Sequence, residues 1–390
     1  MQDQLEDTTS IPSHIMIDQP APSELSSSDD NSDKPHRYPF KLTSFERRIY
    51  NVSSVFENLI KVKSEYAKDP KTEQYFSGRR EEQLSNRLSD SPSPHYRISY
   101  EKSMEQLSRD NRDCFGGDRV QRFLDMGCSP GGFSNWLLEQ NPGAAGVGVT
   151  LPNENAQFKL VTDGTLLDAG RYQIIYADIT TFATEAVSRG GNPLSYLSSD
   201  ASDVDSEETQ RQFVEQYDLI LAGAFPTLEG FVPWWYRIQL ALSQLLVVFT
   251  NLAHGGACII VVKNKPFRWL VELTSILRTS FTTVTASKGS VILRSTCYIV
   301  CREFHSTPEH LETVTEKLRA ALTKLQDVSV DTPPEHDNND GYRNERSMPL
   351  LSSLSDEELF EQEHEFFLEV FEPQWLVQYN GIRKVQKRRT

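Results

Sequence analysis

The residue types best suited to chemistry stand at the ends of apolar runs. Asp125 closes "RVQRFLDMG", Asp178 closes "YQIIYADI" and Lys263 closes "ACIIVVK". Such runs read as strands, and open α/β sheets bind ligands beyond the carboxyl ends of their strands. Two acids and a lysine on one such edge could hold a cation and steer a proton. Directly after Asp125 comes a tight glycine turn, "GCSPGGF", from Gly127 to Phe133, which leads into the helix-like "FSNWLLEQNP".

Loops of this kind bind phosphates, dinucleotides or a sulfonium nucleoside, and the residues separate the three. A triphosphate loop needs G-x-x-x-x-G-K-[ST]. Gly127, Gly132 and Ser134 keep that spacing, but Phe133 stands where a lysine must reach the phosphates. A dinucleotide cradle needs G-x-G-x-x-G. Here Ser129 replaces the second glycine and Pro130 removes a backbone donor. What remains is a turn where Gly131 and Gly132 let a ligand come close to the backbone. Asp125 suits an ammonium better than a phosphate, and Asp178 is placed to accept from an adenine amino group. An ammonium, an adenosine and no phosphate describe S-adenosylmethionine. The plain alternative is a structural turn beside an exposed acid.

Strands and helices must alternate to bring these groups to one edge, and they do. After "RVQRFLDMG" and its helix come the strands "AAGVGVTLP", "YQIIYADI", "YDLILAGAF" and "ACIIVVK". "WWYRIQLALSQLLVVFTNLA" reads as a long helix stopped by His254-Gly255-Gly256, and "PFRWLVELTSILRT" as another. "FTTVTAS" and "STCYIVCREF" have no helix between them, which predicts an antiparallel edge hairpin. The expected fold is α/β: a mostly parallel seven-stranded sheet with helices on both faces.

The run "LDMGCSPGGFSNWL" resembles the strand-turn-helix of the FtsJ-like ribose 2'-O-methyltransferases, whose pattern is D-[LM]-G-x-x-P-G-G-[FW]-S. The resemblance covers roughly Tyr100 to Phe304 and is closest to a divergent branch. It implies a Rossmann-like S-adenosylmethionine-dependent methyltransferase fold, with RNA as the usual methyl acceptor. It sets Asp125, Gly127, Ser129, Pro130, Gly131, Gly132 and Phe133 around the cofactor and matches Asp178 to the acid that contacts adenine. The family's ribose-binding acid falls on Val149, which leaves Thr150 or Glu154 as substitutes. The family's catalytic tetrad is Lys-Asp-Lys-Glu. Lys263 matches its second lysine and Lys102, in "SYEKSMEQL", its first. Gly223 stands in the aspartate's place and Thr296 in the glutamate's, so the tetrad is degenerate. Glu229 is the nearest candidate acid. Asp218 lies about 16 Å back along its strand and cannot substitute. A snorkelling strand-end lysine, a plain surface lysine and a solvated loop acid are the bland readings of Lys263, Lys102 and Glu229.

The net charge of -15 is unevenly spread. Residues 1–34 hold eight acids against Lys34, residues 199–209 five acids and no base, and residues 331–365 eleven acids against two arginines. Everything else totals +6, and it is local charge that attracts a polyanion. The acidic segments read as solvated chain, with competition for a basic groove as the alternative. The five cysteines lack metal-ligand spacing, so no metal is expected and buried thiols are.

The expected organisation is a disordered acidic tail over 1–40, a helical extension over 41–95 and the methyltransferase-like domain over 96–306. That domain carries an acidic disordered insertion over 188–211. A surface helix over 307–327, a polar linker over 328–355 and an acidic amphipathic helix with a basic tail over 356–390 complete it. In the extension, Ser44 is the expected N-cap, and Ile49, Val52, Phe56 and Leu59 share a face. No run is long and apolar enough for a membrane helix, and the N-terminus lacks a secretory pattern. An intracellular protein of cytoplasm or nucleus is expected. Three functions fit: RNA 2'-O-methylation, a methyltransferase-like binder of cofactor or RNA, and a scaffold that meets a protein partner through its C-terminal helix.

Overall fold

Seven strands form one sheet in the order β3-β2-β1-β4-β5-β7-β6. They are β1 (Arg122–Met126), β2 (Ala145–Thr150), β3 (Tyr172–Tyr176), β4 (Tyr217–Ala222), β5 (Leu252–Lys263), β6 (Phe281–Ser287) and β7 (Thr296–Phe304). The first five run parallel, while β7 pairs antiparallel with both β5 and β6. All five carboxyl ends and the start of β7 therefore share one edge. The computed structural model describes residues 42–66, 94–152, 158–161, 170–197, 216–226, 232–290, 292–331 and 346–387, with isolated positions between 68 and 81.

Alternating strand residues split the apolar side chains between two cores. Leu219, Leu221, Phe123, Ile259 and Val300 face α3 (Pro94–Asp110) and α4 (Gly132–Gln140). Ile220, Leu124, Met126 and Ile260 face the larger core. That core also takes α6 (Trp234–Asn251), α7 (Arg268–Ser280), α8 (Pro308–Asp331) and the helices from both ends of the chain. The alternation puts Asp125 on the same side as Phe123, beneath α4.

The N-terminal extension differs from its helical pattern. It forms two helices, α1 (Ser44–Val52) and α2 (Ser54–Tyr66), broken at Ser53. Ser53 is extended (φ -107°, ψ 103°) and its Oγ accepts from Phe56 N at 3.0 Å, so it starts α2. The break turns Val52 out, 51% exposed, while Ile49, Phe56 and Leu59 stay buried. The cap of α1 is Thr43 rather than Ser44, because Glu46 completes a capping box with Thr43.

Other boundaries shift as well. α6 ends at Asn251 and β5 begins at once, so His254, Gly255 and Gly256 lie in the irregular start of the strand. Residues 188–197, expected in the acidic insertion, continue α5 (Ile179–Arg189) and form a 3-10 turn over Pro193–Tyr196. Asn192 caps that turn and its side chain bonds Asn251 at 2.6 Å. The rest of the insertion and residues 1–40 lie outside the described residues.

The expected linker is a packed strap from Arg346 onward. Arg346 pairs with Glu46, Nε to Oε1 at 2.8 Å, and ties the strap to α1. α9 (Asp356–Lys387) then docks along α2 and α7, with Phe56 against Trp375 at 4.6 Å. Arg268 is the pin: it reaches Glu272 at 3.1 Å and also holds Asp356 and the Leu354 carbonyl. Glu272 accepts in turn from Leu350 N and Leu351 N. Arg268→Ala would strand a buried carboxylate, at an expected cost of about 3–5 kcal/mol. Urea melts of Arg268→Ala and of the paired Arg268→Met/Glu272→Met variant check this; the paired variant is expected to lose less.

Candidate active site

The turn after β1 is held from both sides. Gly127 N and Cys128 N donate to Val149 O at 2.7 and 3.2 Å, which hangs the turn on β2. Gly127 adopts φ +82°, and a Cβ there would lie 2.5 Å from Ala224 Cα. The turn thus abuts the segment leaving β4, closer than any side chain allows. The Ser129-Pro130 peptide is cis. Gly131 (φ +100°) is the N-cap of α4, so the free amides of the helix's first turn open beside the turn. A Cβ on Gly132 would overlap the Arg97 carbonyl of α3.

Asp125 is not the exposed acid of the plain alternative. It is 2% exposed and its Oδ2 accepts from Ser134 Oγ at 2.6 Å. Ser134 Oγ also lies 2.7 Å from Tyr172 Oη. Burial pushes the Asp125 carboxyl up to about 7, against the lowering effect of the Ser134 hydrogen bond. The folded chain therefore keeps the proton between about 4 and 7 while the unfolded chain releases it. The stabilisation is full below the unfolded pKa and is lost as pH rises through 7. Asp125→Asn removes the titration. Its stability relative to wild type should climb by about 3 kcal/mol between pH 5 and pH 7 and stay level above that. Cofactor-free protein and thermal melts are the measurement, and a pH-independent offset is the contrary result.

Around the turn, Ser129 Oγ meets Thr150 Oγ1 at 3.0 Å. Phe133 packs edge-on to Tyr100 and against Tyr298, with centroids at 5.8 and 5.7 Å. Val149 is fully buried. One strand further out, Asp178 is the N-cap of α5: its Oδ1 accepts from Thr180 N and Thr180 Oγ1 at 2.8 and 2.7 Å. Tyr236, in the first turn of α6, is close enough for the Asp178 charge to add to burial, which pushes its phenol up to about 12. Asn135, on α4, is buried with both side-chain polar atoms unpaired among the described residues.

The catalytic candidates separate. Lys263 ends β5 on the ligand edge, opposite Thr296 in the β7 pairing. Its Nζ lies 5.3 Å from the Phe267 ring centroid. Gly223 follows β4 with its amide on Met126 O at 3.0 Å, and the nearest atom to a Cβ there is that same oxygen, at 3.3 Å. A side chain at Gly223 would press on that backbone oxygen, and the chain has none. The Thr296 carbonyl is taken by Lys288 Nζ at 3.0 Å. Lys102 is exposed on α3, where Ser103 and Met104 carry the packing. Glu229 and Glu154 lie outside the described residues. Asp218 sits at the far edge, where its Oδ2 accepts from Gln121 N and Arg122 N at 2.9 Å each and fixes the start of β1.

Several site residues were not singled out from sequence. Ser134 and Tyr172 complete the Asp125 network, and Tyr236 joins Asp178. Ser134 was signalled by the final serine of the family pattern, though not as a partner of Asp125. Tyr172 had no signal, because it opens a different strand.

The fold and these positions can be set beside known proteins. None of the curated proteins matches this sequence. Among solved structures, a putative ribosomal RNA methyltransferase from Plasmodium falciparum is 16% identical, covering 53% of this chain and 97% of its own, at a TM-score of 0.35. A fibrillarin pre-rRNA processing protein from Methanococcus jannaschii is 13% identical, covering 48% and 69%, at 0.30. A probable spermidine synthase from Corynebacterium glutamicum is 13% identical, covering 66% and 82%, at 0.34. The model of one family, FtsJ-like methyltransferase, matches residues 102–304. That span is just over half of the chain and runs from Lys102 through β7, enclosing the glycine turn, Asp178 and Lys263. The chain belongs to the FtsJ-like methyltransferase family.

Proposed function

We propose that this chain transfers the methyl group of S-adenosylmethionine to a ribose 2'-hydroxyl of RNA, with Lys263 as the residue that handles the acceptor. The observation that carries the reading is the placement of Lys263 and the glycine turn on one sheet edge, in a chain of this family. The residues present fit the cofactor. Amides free at the start of α4, the buried unpaired Asn135 and the half-exposed Asp178 offer donors and acceptors for a polar nucleoside. Pro130 and Phe133 offer apolar surface, and no lysine at the turn invites phosphate.

When bound, S-adenosylmethionine supplies an electrophilic methyl on a sulfonium. Asp125 lies beneath the turn, where an ammonium would draw out its ionised form. Asp178 keeps one oxygen for an amino group, since Oδ1 alone is committed to Thr180. Thr150, fixed by Ser129, would offer the ribose a hydroxyl that Val149 cannot. In its neutral form Lys263 would accept the proton of the attacking hydroxyl on its Nζ lone pair as the oxygen takes the methyl group, and would end as an ammonium. The Phe267 ring beside the ammonium limits its hydration and steadies its direction. Orientation supplies the larger part of the acceleration, since a bound pair of reactants gains about 7–11 kcal/mol in favourable cases.

Gly223 and Thr296 favour a second reading: a domain that binds cofactor without turnover. One experiment separates the two. Labelled S-adenosylmethionine is incubated with the full chain and total cellular RNA, and the label is followed through alkaline hydrolysis. Ribose methylation blocks cleavage, so the label should stay in alkali-stable dinucleotides. Calorimetric binding of the demethylated cofactor with no transfer to any RNA is the outcome that leaves the binder.

A further inference from the structure

We infer that Tyr172 is a positioning residue for cofactor binding: from the edge strand β3 it reaches across β2 and holds the Ser134 hydroxyl on Asp125. The inference rests on the reading above in which Asp125 answers the cofactor's ammonium, and it names the group that sets that carboxylate.

The reach depends on two glycines. Phe123, Gly146 and Tyr172 form one row across β1, β2 and β3. Gly148 lies two residues on from Gly146, so both glycines face the same side of the sheet. A Cβ on Gly146 would lie 2.1 Å from Phe123 Cζ. One on Gly148 would lie 2.1 Å from Tyr172 Oη and 2.8 Å from Cys128 Sγ. The two positions therefore leave a bare floor, on which the rings of Phe123 and Tyr172 lie stacked with centroids 6.0 Å apart and planes 23° apart. Strand spacing puts β3 about 10 Å from β1. A phenol lying over that floor spans the gap, and its Oη ends 2.7 Å from Ser134 Oγ.

The direction of each proton follows from the donors available. An ionised Asp125 can only accept. Ser134 spends its single proton on Asp125 Oδ2 at 2.6 Å, so its oxygen must accept from Tyr172 Oη. A hydroxyl that accepts one hydrogen bond donates the next more strongly. Tyr172 thus supports the charge on Asp125 without touching it. Without that donor, the Ser134 hydroxyl can turn to a carbonyl of its own helix. Asp125, Ser134 and Tyr172 are all buried, so bulk water is a poor substitute. Packing on Phe123 asks only for a ring. The phenol oxygen adds nothing to that packing, and burying it is costly unless it bonds.

The test is calorimetry of the full chain with the demethylated cofactor, run as a cycle of Tyr172→Phe, Ser134→Ala and the double variant. Tyr172→Phe keeps the ring on Phe123 and should bind about fivefold more weakly, the worth of one hydrogen bond. In the Ser134→Ala background it should cost nothing further, because Tyr172 acts through Ser134. Tyr217→Phe removes a buried phenol oxygen from the start of β4, away from the ligand edge, and should bind as wild type. Wild-type affinity in Tyr172→Phe, or two losses that simply add, would overturn the inference. If wild type does not bind the demethylated cofactor, the ammonium reading fails and cofactor-free stability decides for Tyr172. Beside Asp125, β2 and β4 present Gly148 and Leu221, and α4 presents Ser134. Among the described residues, the titratable groups facing it are Cys128 and Tyr172, and burial raises both. Losing the phenol leaves the Asp125 anion less supported and raises its carboxyl further above about 7. The folded variant then keeps its proton to higher pH, so its stability deficit against wild type should widen between pH 7 and pH 9. A widening deficit keeps Tyr172 acting on Asp125, and a constant one overturns it.

Discussion

Alanine at Lys263 is expected to lower kcat for methyl transfer by about 10²–10⁴-fold, the range a positioned proton-handling side chain contributes. Cofactor affinity should not change. The ribose hydroxyl is a weak nucleophile, and its proton must be steered away as the new bond forms. Lys263 is the basic residue at the end of the strand beside β4, and its partner Thr296 offers no carboxylate. With Gly223 bare and Thr296 neutral, little else at the matched positions can share that work, so the whole effect falls on one side chain. Lys263→Arg separates charge from proton handling, because a guanidinium keeps its charge but does not release a proton. It should bind RNA as wild type and remain slow. Single-turnover assays with saturating cofactor are the measurement. Transfer by Lys263→Ala at the wild-type rate would remove Lys263 from the mechanism. The same assay on Gly223→Asp, compared with Gly223→Ala to separate the crowding at Met126 O, asks whether an acid there raises the rate.

Gly127→Ala is expected to cost about 3 kcal/mol or more and to abolish cofactor binding. Two penalties combine. The left-handed backbone at φ +82° costs a side chain about 1–2 kcal/mol. The added Cβ meets backbone, Ala224 Cα at 2.5 Å and Ala224 N at 2.6 Å, not a flexible side chain that could move aside. Overpacking of that kind typically adds about 1–3 kcal/mol. Relief requires β1 and the segment after β4 to part, and both border the ligand edge. Gly143→Ala is the matched control: its nearest neighbour is the tip of Gln121 at 3.5 Å, and its stability should stay near wild type. Chemical denaturation gives the first effect and calorimetry with the demethylated cofactor the second. A Gly127→Ala protein with native stability would mean the turn and the Ala224 segment are not in contact.

Much of the architecture was legible because it is local. Apolar runs marked every strand, period-3.6 patterns marked α4, α6 and α7 while α5 went unread, and the missing helix before β7 announced the antiparallel pair. Where local signals competed, reading by pattern went astray. Ser53 looked like one more polar position in a continuous helix, but its hydroxyl caps α2 and splits the segment. Residues 346–355 looked like linker because their composition is polar. Their order comes from Arg346 reaching Glu46 and from Glu272 receiving two backbone amides, contacts that span long stretches of chain.

The sequence by itself determined the family motif, the order of strands and helices, and which residues end each strand on the ligand edge. Those features follow from short-range periodicity and turn chemistry, which need no partner. Only the tertiary structure decided the state of those residues. It buried Asp125 under Ser134 and Tyr172 and so raised its carboxyl to about 7. It brought Tyr236 to Asp178. Burial and charge proximity belong to neighbours far apart in the chain, and no window of residues contains them.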